Sequence, residues 1–447
     1  MSDDSQPLPL DVADLERITQ QALDDARQEG ATSAEAVTSA DTGLSTSVRL
    51  GEVETLEYHK DQGLGVTVYF GQRKGSASSS DLSPASIHEA VQAACRIARY
   101  TAEDEAAGLA APELMAYGYP DLGLDHPWPI STEEAIERAR ACEAAARDDA
   151  RITNSEGASL SAFRGGVAYG NSYGFLGGYV GTRHSLSCAV VGEQDGAMQR
   201  DYWYSVARDA HDLESAEAVG RRAAERTTRR LGARRLATRQ VPVLYAADVA
   251  RSLLGHLVGA IRGSALYRRA SFLVDARGES IFPEFVRIEE QPHLRGALGS
   301  APFDNEGVAT RERELVSDGV LQGYVLDSYS ARKLGMQTTA NAGGVHNLQI
   351  APGDHDLDGL LTQMGEGLLV TELIGQGVNV VTGDYSRGAA GFWVENGQIQ
   401  YPVEEITVAG NLEDMFKGLV AVGRDLDVRG NIRTGSWLIE RMTVAGE

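Results

Sequence analysis

The sequence predicts an α+β protein of two domains, a mixed α/β unit over residues 1–236, with antiparallel sheets and flanking helices, and a β-rich unit over 237–447. Three observations carry that reading. Short, partly alternating, β-branched runs separated by glycine fill 34–80 and return over 152–206, the pattern of antiparallel meanders. Apolar residues at helical spacing bracket both runs. Beyond residue 237 two-residue hairpin signals take over: Asp318-Gly319 between 313–317 and 320–326, and Asn396-Gly397 between 391–395 and 398–403. A chain of 447 residues also exceeds what one core usually serves, roughly 250–300 residues.

Taken in order, Leu15, Ile18, Ala22, Leu23 and Ala26 line one face of a first helix that runs out at Gly30. Strands are expected at 34–39, 44–50, 53–60, 63–70 and 73–80, broken by Gly43, Gly51, Gly63 and Gly71. Ser83-Pro84 then opens a helix whose apolar face holds Ile87, Val91, Ala94, Cys95 and Ala98, making Cys95 a buried hydrophobe. The Pro-, Gly- and Tyr-rich stretch 111–129 reads as a linker. A helix from Ser131, strands over 152–206 and a helix over 212–231 repeat the plan, which suggests a duplication by topology, without residue identity. The basic run 221–239 that ends this unit has two readings, a phosphate patch or arginines at a helix C-terminus pairing with acidic surface; the acidic balance of the chain favours the second.

The C-terminal unit opens with a strand over 241–246 and a helix capped by Asp248, with Val249, Leu253, Leu254, Leu257, Val258 and Ile261 on its apolar side. Its other side is nearly bare. Gly255, Gly259 and Gly263 recur there beside Ser252 and His256, although an interior glycine costs a helix about 1 kcal/mol. Close approach of something is implied, either a sheet of the same domain or a ligand or partner. Three more helices are expected, over 329–334, from Asp358 with Leu360, Leu361, Met364 and Leu368 in register, and after Asn411 with Leu412, Met415, Phe416 and Leu419. A barrel or sandwich closes with a strand over 435–444.

A net charge of −23 repels phosphate backbones and anionic lipid, which argues against nucleic acid or a membrane surface as partner. No apolar run approaches the roughly 18 residues of a membrane span. The acidic start MSDDSQPLPLD carries no secretory pattern, so a cytoplasmic protein is expected. Three cysteines without CxxC spacing argue against a disulfide framework or a Cys-rich zinc site.

Two stretches are candidates for a working surface. NAGGVHNLQI (341–350) sets His346 and Asn347 among glycines. GVNVVTGDYSRGAAGFWVENG (377–397) gathers Thr382, Asp384, Ser386 and Arg387 between glycines that free backbone amides to pair with an extended peptide. Neither supplies catalysis. Ser386 lacks a GxSxG elbow, and the phosphate-loop patterns are absent. A zinc-peptidase helix at His256 would need a Glu beside it and a second His one turn on, and His355 sits among aspartates in a loop. No catalytic or metal-ligating residue is therefore assigned.

LLGHLVGAIRGSALYRRASFL (253–273), TTANAGGVHNL (338–348) and the 377–397 segment together resemble the PmbA/TldE branch of the TldD–PmbA metallopeptidase family, along essentially the whole chain. That resemblance implies the family fold, with a cavity between a mixed N-terminal and a β-rich C-terminal domain, and a subunit of a heteromeric zinc peptidase acting on unfolded or small peptides. In the family the TldD-like partner carries HExxxH and a later Cys ligand; here Leu257 and Ile261 occupy the Glu and second His positions in one register, and the C-terminal half has no cysteine. The same resemblance implies a chain that binds no zinc itself, with zinc in the TldD-like partner and a homodimer as its form when alone. It also implies that His256, His346, Asn347, Thr382, Asp384, Ser386 and Arg387 line the peptide cavity. The family's description as modulating DNA gyrase gives the alternative, a regulatory binding protein without hydrolytic role.

Overall fold

The computed structural model describes residues 8–446. Helix α1 (Val12–Gln28) is capped by Asp11, whose side chain accepts from the Asp14 amide, and is followed by strands β1 (Ser33–Arg49), β2 (Glu52–Phe70) and β3 (Arg73–Ser79) and helix α2 (Pro84–Tyr100). The same succession returns as α3 (Thr132–Arg147), β4 (Ile152–Asn171), β5 (Leu176–Gln194), β6 (Ala197–Ala207) and α4 (Ala216–Thr228). Ser131 and Glu134 form a reciprocal capping box on α3, satisfying two of its free terminal amides. The two copies join through their first strands, so that one antiparallel sheet runs β3-β2-β1-β4-β5-β6. The helices pack on the sheet with α1 and α3 each reaching across the β1/β4 seam, as Leu15 does with Ala40 and Ala168. Ile18, Leu23, Ile87 and Val91 pack on Val66 and Val68, while Cys142, Val219 and Ala223 pack on Leu160 and Leu186.

Several expectations are corrected. Gly43 and Gly63 do not break strands; each lies inside a single long one. A side chain at Gly43 would collide with the Phe163 ring of its register partner on β4, so the glycine admits a neighbour instead of making a turn. The last helix of the second copy starts at Ala216, because Ser215 and not Asp212 caps it. The 111–129 stretch is no free linker: Met115 and Ala116 are buried with Phe175, Phe303 and Val308, tying the N-terminal sheet to the C-terminal half.

In that half, β7 (Arg239–Tyr245) leads into α5 (Ala247–Ala260) and the single turn α6 (Gly263–Leu266). Then come β8 (Ile288–Glu290), β9 (Arg313–Ser317), β10 (Val320–Leu321), α7 (Ser328–Lys333), β11 (Leu348–Ile350), α8 (Leu357–Met364), β12 (Gly367–Ile374), β13 (Asp384–Glu395), β14 (Gln398–Asn411), α9 (Leu412–Lys417), β15 (Leu419–Val422), β16 (Ile432–Arg433) and β17 (Trp437–Ala445). Strands β7, β12, β13, β14 and β17 close into a five-stranded barrel through the β14–β17 pairing, with β15 appended, and β10-β9-β8-β11-β16 form a separate small sheet. Period-two alternation sorts the barrel residues: Val243 and Tyr245 join the main core, and Leu244 between them packs with α8. Both predicted hairpins are present, with Asp318, Gly319, Asn396 and Gly397 all at positive φ. Leu368 and Leu419 belong to strands, because Gly365 at φ +69° and Gly418 end the helices before them. Cys95, Cys142 and Cys188 are buried and free.

Candidate functional site: an interdomain cleft beside an open helix face

Helix α5 is positioned by its apolar side. Ala250, Leu253, Leu254, Leu257 and Ala260 are buried in the main core, fixing which residues turn outward. Its cap differs from expectation: the N-cap is Ala246 without a side-chain hydrogen bond, and Asp248 in the first turn faces Arg226 of α4 at 3.1 Å. The glycines also divide. A methyl group at Gly263 would overlap Ser330 Oγ of α7, whereas one at Gly255 or Gly259 would meet nothing within 4 Å. The close approach therefore exists only at Gly263, and the stretch carrying Ser252, Gly255, His256 and Gly259 is open.

Strand β13 faces that stretch, and its alternation separates the candidate residues. Tyr385 and Arg387 share one face; Asp384 and Ser386 lie exposed on the other. His256 meets Tyr385 edge to face with ring centroids 6.0 Å apart. Burial, with the Arg387 guanidinium nearby, pushes the His256 imidazole down to about 4, so the ring is neutral at neutral pH. Two polar atoms of this cluster, His256 Nε2 and Arg387 Nε, are buried without a hydrogen-bond partner among the described residues, and the buried Tyr385 hydroxyl faces that of Tyr245, which donates toward it. The Tyr245 hydroxyl, in the same core, also lies 3.4 Å from Met442 Sδ. Away from them, Thr382 Oγ1 donates to Asp384 Oδ2 at 2.6 Å and Asn411 Nδ2 donates to the Thr382 carbonyl, an arrangement that shapes the exposed turn before β13.

Next to Arg387 and Ser252 a cleft of about 270 Å³ opens between the domains, walled by Tyr202, Trp203 and Tyr204 of β6 and Thr371 to Leu373 of β12. It shares Trp203, Arg226, Asp248, Thr371 and Arg429 with a neighbouring cleft of about 410 Å³. Ion pairs frame both, and two of them, Arg226–Asp248 and Arg230–Glu372, join the N-terminal and C-terminal halves. Arg226 reaches Asp201 and Asp248, Arg230 reaches Asp201 at 3.6 Å and Glu372 at 2.5 Å, and Asp427 pairs with Arg429 at 2.8 Å and Arg251 at 3.7 Å. Arg429 stacks over Trp203 and Tyr204, 4.0 and 4.4 Å from the ring centroids. Two arginines of the basic run thus pair with acids at the domain boundary.

His346 and Asn347 lie elsewhere. His346 borders a separate cleft of about 290 Å³ with Tyr179, Arg208 and Asn305, and burial pushes its imidazole down. Asn347 is fully buried: its Nδ2 donates to the Gln291 carbonyl and to Ser300 Oγ, and its Oδ1 accepts from the Gly299 amide, so the side chain closes a loop. Glu290 fixes the same loop, accepting from Arg313, Asn341 and the His346 amide. Of the seven sequence candidates, the fold brings His256 and Arg387 together. Tyr385 completes their cluster, and extending the strand alternation back from Arg387 would have found it. The pairs Arg230–Glu372 and Arg251–Asp427 of the cleft walls join segments more than a hundred residues apart and left no local signal.

Three domain models of one family cover the chain: PmbA/TldA metallopeptidase domain 1 over 34–98, the central domain over 125–231 and the C-terminal domain over 238–446. The protein is 53% identical over 93% of its length, and 92% of the relative's, to the metalloprotease PmbA of Escherichia coli O157:H7. The chain belongs to the PmbA/TldD metallopeptidase family. A PmbA homolog from Haemophilus influenzae is 49% identical over 95% of this chain and 94% of its own, while a TldD homolog from the same organism is 25% identical over 85% and 83%. Among solved structures, a Bacteroides thetaiotaomicron protein called a candidate modulator of DNA gyrase superposes with a TM-score of 0.92 at 31% identity, covering 97% of this chain and 99% of its own. TldE from Thermococcus kodakarensis, at 20% identity, a TM-score of 0.86 and coverage of 96% and 100%, shares the fold. The metal that the family name implies finds no donor set on α5. His256 is the sole metal-ligating side chain of its open face, Ala260 stands one turn on, and the charge acting on the ring is a guanidinium. No three His, Cys, Asp or Glu side chains are grouped to hold a metal among the described residues. No helix among them is long and apolar enough to cross a membrane.

Proposed function

We propose that this chain is the peptide-holding subunit of a heteromeric metallopeptidase, completing the substrate cavity of a TldD-like partner that carries the zinc. The observation that supports it is the open face of α5, which keeps room and one neutral imidazole where a zinc helix would carry its ligands. Around it the chain offers what holds a peptide: a cleft with aromatic walls, a guanidinium outside any ion pair among the described residues, and buried polar atoms left for a ligand to satisfy. It offers no nucleophile placed beside a general base, since Ser386 lies exposed on the opposite face of β13 from His256 and Arg387. Its identity to PmbA homologs, well above that to a TldD homolog, agrees with this division of labour. Mixing the purified chain with a TldD-like protein and sizing the product by light scattering tests the assembly. A stable heteromer is expected; two species that elute separately at micromolar concentration would overturn it.

A further inference from the structure

Charge accounting in the interdomain cleft leaves one cation over. Its lining acids are Asp201, Asp248 and Glu372, and each is paired, with Arg226 or with Arg230 just outside the lining, while Arg251 and Arg429 pair with Asp427 of the neighbouring cleft. Of the four arginines that line it, Arg226, Arg251, Arg387 and Arg429, only Arg387 enters no ion pair among the described residues, and its buried Nε has no acceptor among them. Such a group is unusual in a protein of net charge −23, where acidic partners are abundant. His256 Nε2 close to it is likewise buried and unpartnered among those residues, and the Tyr385 hydroxyl, toward which Tyr245 donates, has no acceptor there for its own proton. A guanidinium with a buried, unpaired Nε is held best by a two-oxygen anion that takes its parallel N–H groups.

We propose that Arg387 binds the carboxylate of an extended peptide, with the Tyr385 hydroxyl donating to the same group and the peptide backbone running over Gly255 and Gly259. A single uncompensated positive charge matches a monoanion, whereas a phosphate dianion would leave a net negative charge beside it. The open glycines give the backbone its path, because a Cβ at either would meet nothing within 4 Å. The carboxylate comes either from the chain terminus or from an Asp or Glu side chain. This inference rests on reading the α5 face as the peptide-binding surface, and it concerns this chain's own residues.

The test is calorimetry on the full chain without any partner, at neutral pH, with acetyl-tetraalanine as the free acid, the same peptide as its amide, and acetyl-Ala-Glu-Ala-Ala-amide. The free acid or the glutamate peptide, whichever source the site takes, should bind at least about tenfold more tightly than the neutral amide. Arg387→Gln should erase that difference, with Arg387→Lys keeping part of it. Equal binding of all three peptides, or undiminished preference in Arg387→Gln, would overturn the proposal. Gly255→Leu serves as a second variant: it leaves Arg387 in place, fills the open face, and should weaken the carboxylate peptide without lowering the melting temperature. The three-peptide comparison on the unaltered chain stands even if a variant misfolds. Because no partner is present, a negative result leaves the subunit reading standing, whereas peptide binding without heteromer assembly would overturn that reading alone.

Discussion

His256 on α5 and Tyr385 on β13 meet edge to face, ring centroids 6.0 Å apart at an interplanar angle of 75°, and neither the buried Nε2 of the one nor the hydroxyl proton of the other has a hydrogen-bond partner among the described residues. Leaving a buried polar atom unpaired costs about 1–3 kcal/mol, so this contact carries a stability cost. Replacing Tyr385 by Phe removes a buried hydroxyl whose proton has no acceptor among those residues and keeps the ring. Thermal or denaturant unfolding should show the variant as stable as the parent or about 1 kcal/mol more so. A loss above ~1 kcal/mol would mean that the hydroxyl is satisfied in the folded chain.

The His256 imidazole, at about 4 in the folded chain against an ordinary value near 6.5, binds its proton more weakly folded than unfolded. Between those two values the unfolded state holds more protons, so this group adds stability as pH rises from 4 to 6.5. Asp304 has the opposite sign in the same window: burial, with Glu306 beside it, pushes its carboxyl up to about 7, and its contribution is lost as pH rises. Comparing the parent with His256→Gln by urea unfolding at pH 5 and pH 7.5 cancels the Asp304 effect. The stability gained between the two pH values should be greater in the parent by on the order of 1–3 kcal/mol, and an equal gain would refute the depressed imidazole.

The glycines of the 255–263 stretch should respond in opposite directions. Gly255→Ala and Gly259→Ala relieve helix-propensity cost without meeting a neighbour, and each should raise stability by about 0.5–1 kcal/mol. Gly263→Ala drives a methyl into Ser330 Oγ and should lower it by about 1–3 kcal/mol. Melting temperatures of the three variants decide this, and a stabilised Gly263→Ala would show that α7 can withdraw.

Glu290 carries three charge-assisted or backbone hydrogen bonds while only 2% exposed, and its partner Arg313 is nearly as enclosed. Glu290→Ala leaves that largely enclosed guanidinium without its counter-ion, held by the Tyr324 carbonyl and Asn341, and should cost about 3 kcal/mol. Hydrogen exchange should place the loss first at 341–346, the loop Glu290 secures. Uniform loss across the chain would contradict a local role.

Much of the fold is legible in the sequence because its signals are local. Capping serines and asparagine, helical periodicity and the Asp-Gly and Asn-Gly turns mark Ser131, Asn411 and both hairpins at or near their places. Strand breaks are misread where a glycine answers a distant side chain, as Gly43 answers Phe163, since nothing within the segment reports the neighbour. The same limit applies to the site. The bare face of α5 can be read from Gly255, His256 and Gly259, but whether anything covers it depends on packing that only the folded chain displays. Thr382, Asp384, Ser386 and Arg387 form one cluster in sequence, and the pleat of β13 sends Arg387 to one side and its exposed neighbours to the other. Pairs such as Arg230 with Glu372 join segments too far apart for any spacing rule.

A chain that shapes a peptidase cavity without holding its metal should be silent by itself. Zinc content and peptide turnover, measured side by side for the chain alone, a TldD-like partner alone and their mixture, test this most directly. Zinc is expected only where the partner is present, and turnover in the mixture. Stoichiometric zinc with turnover in the chain alone would contradict it.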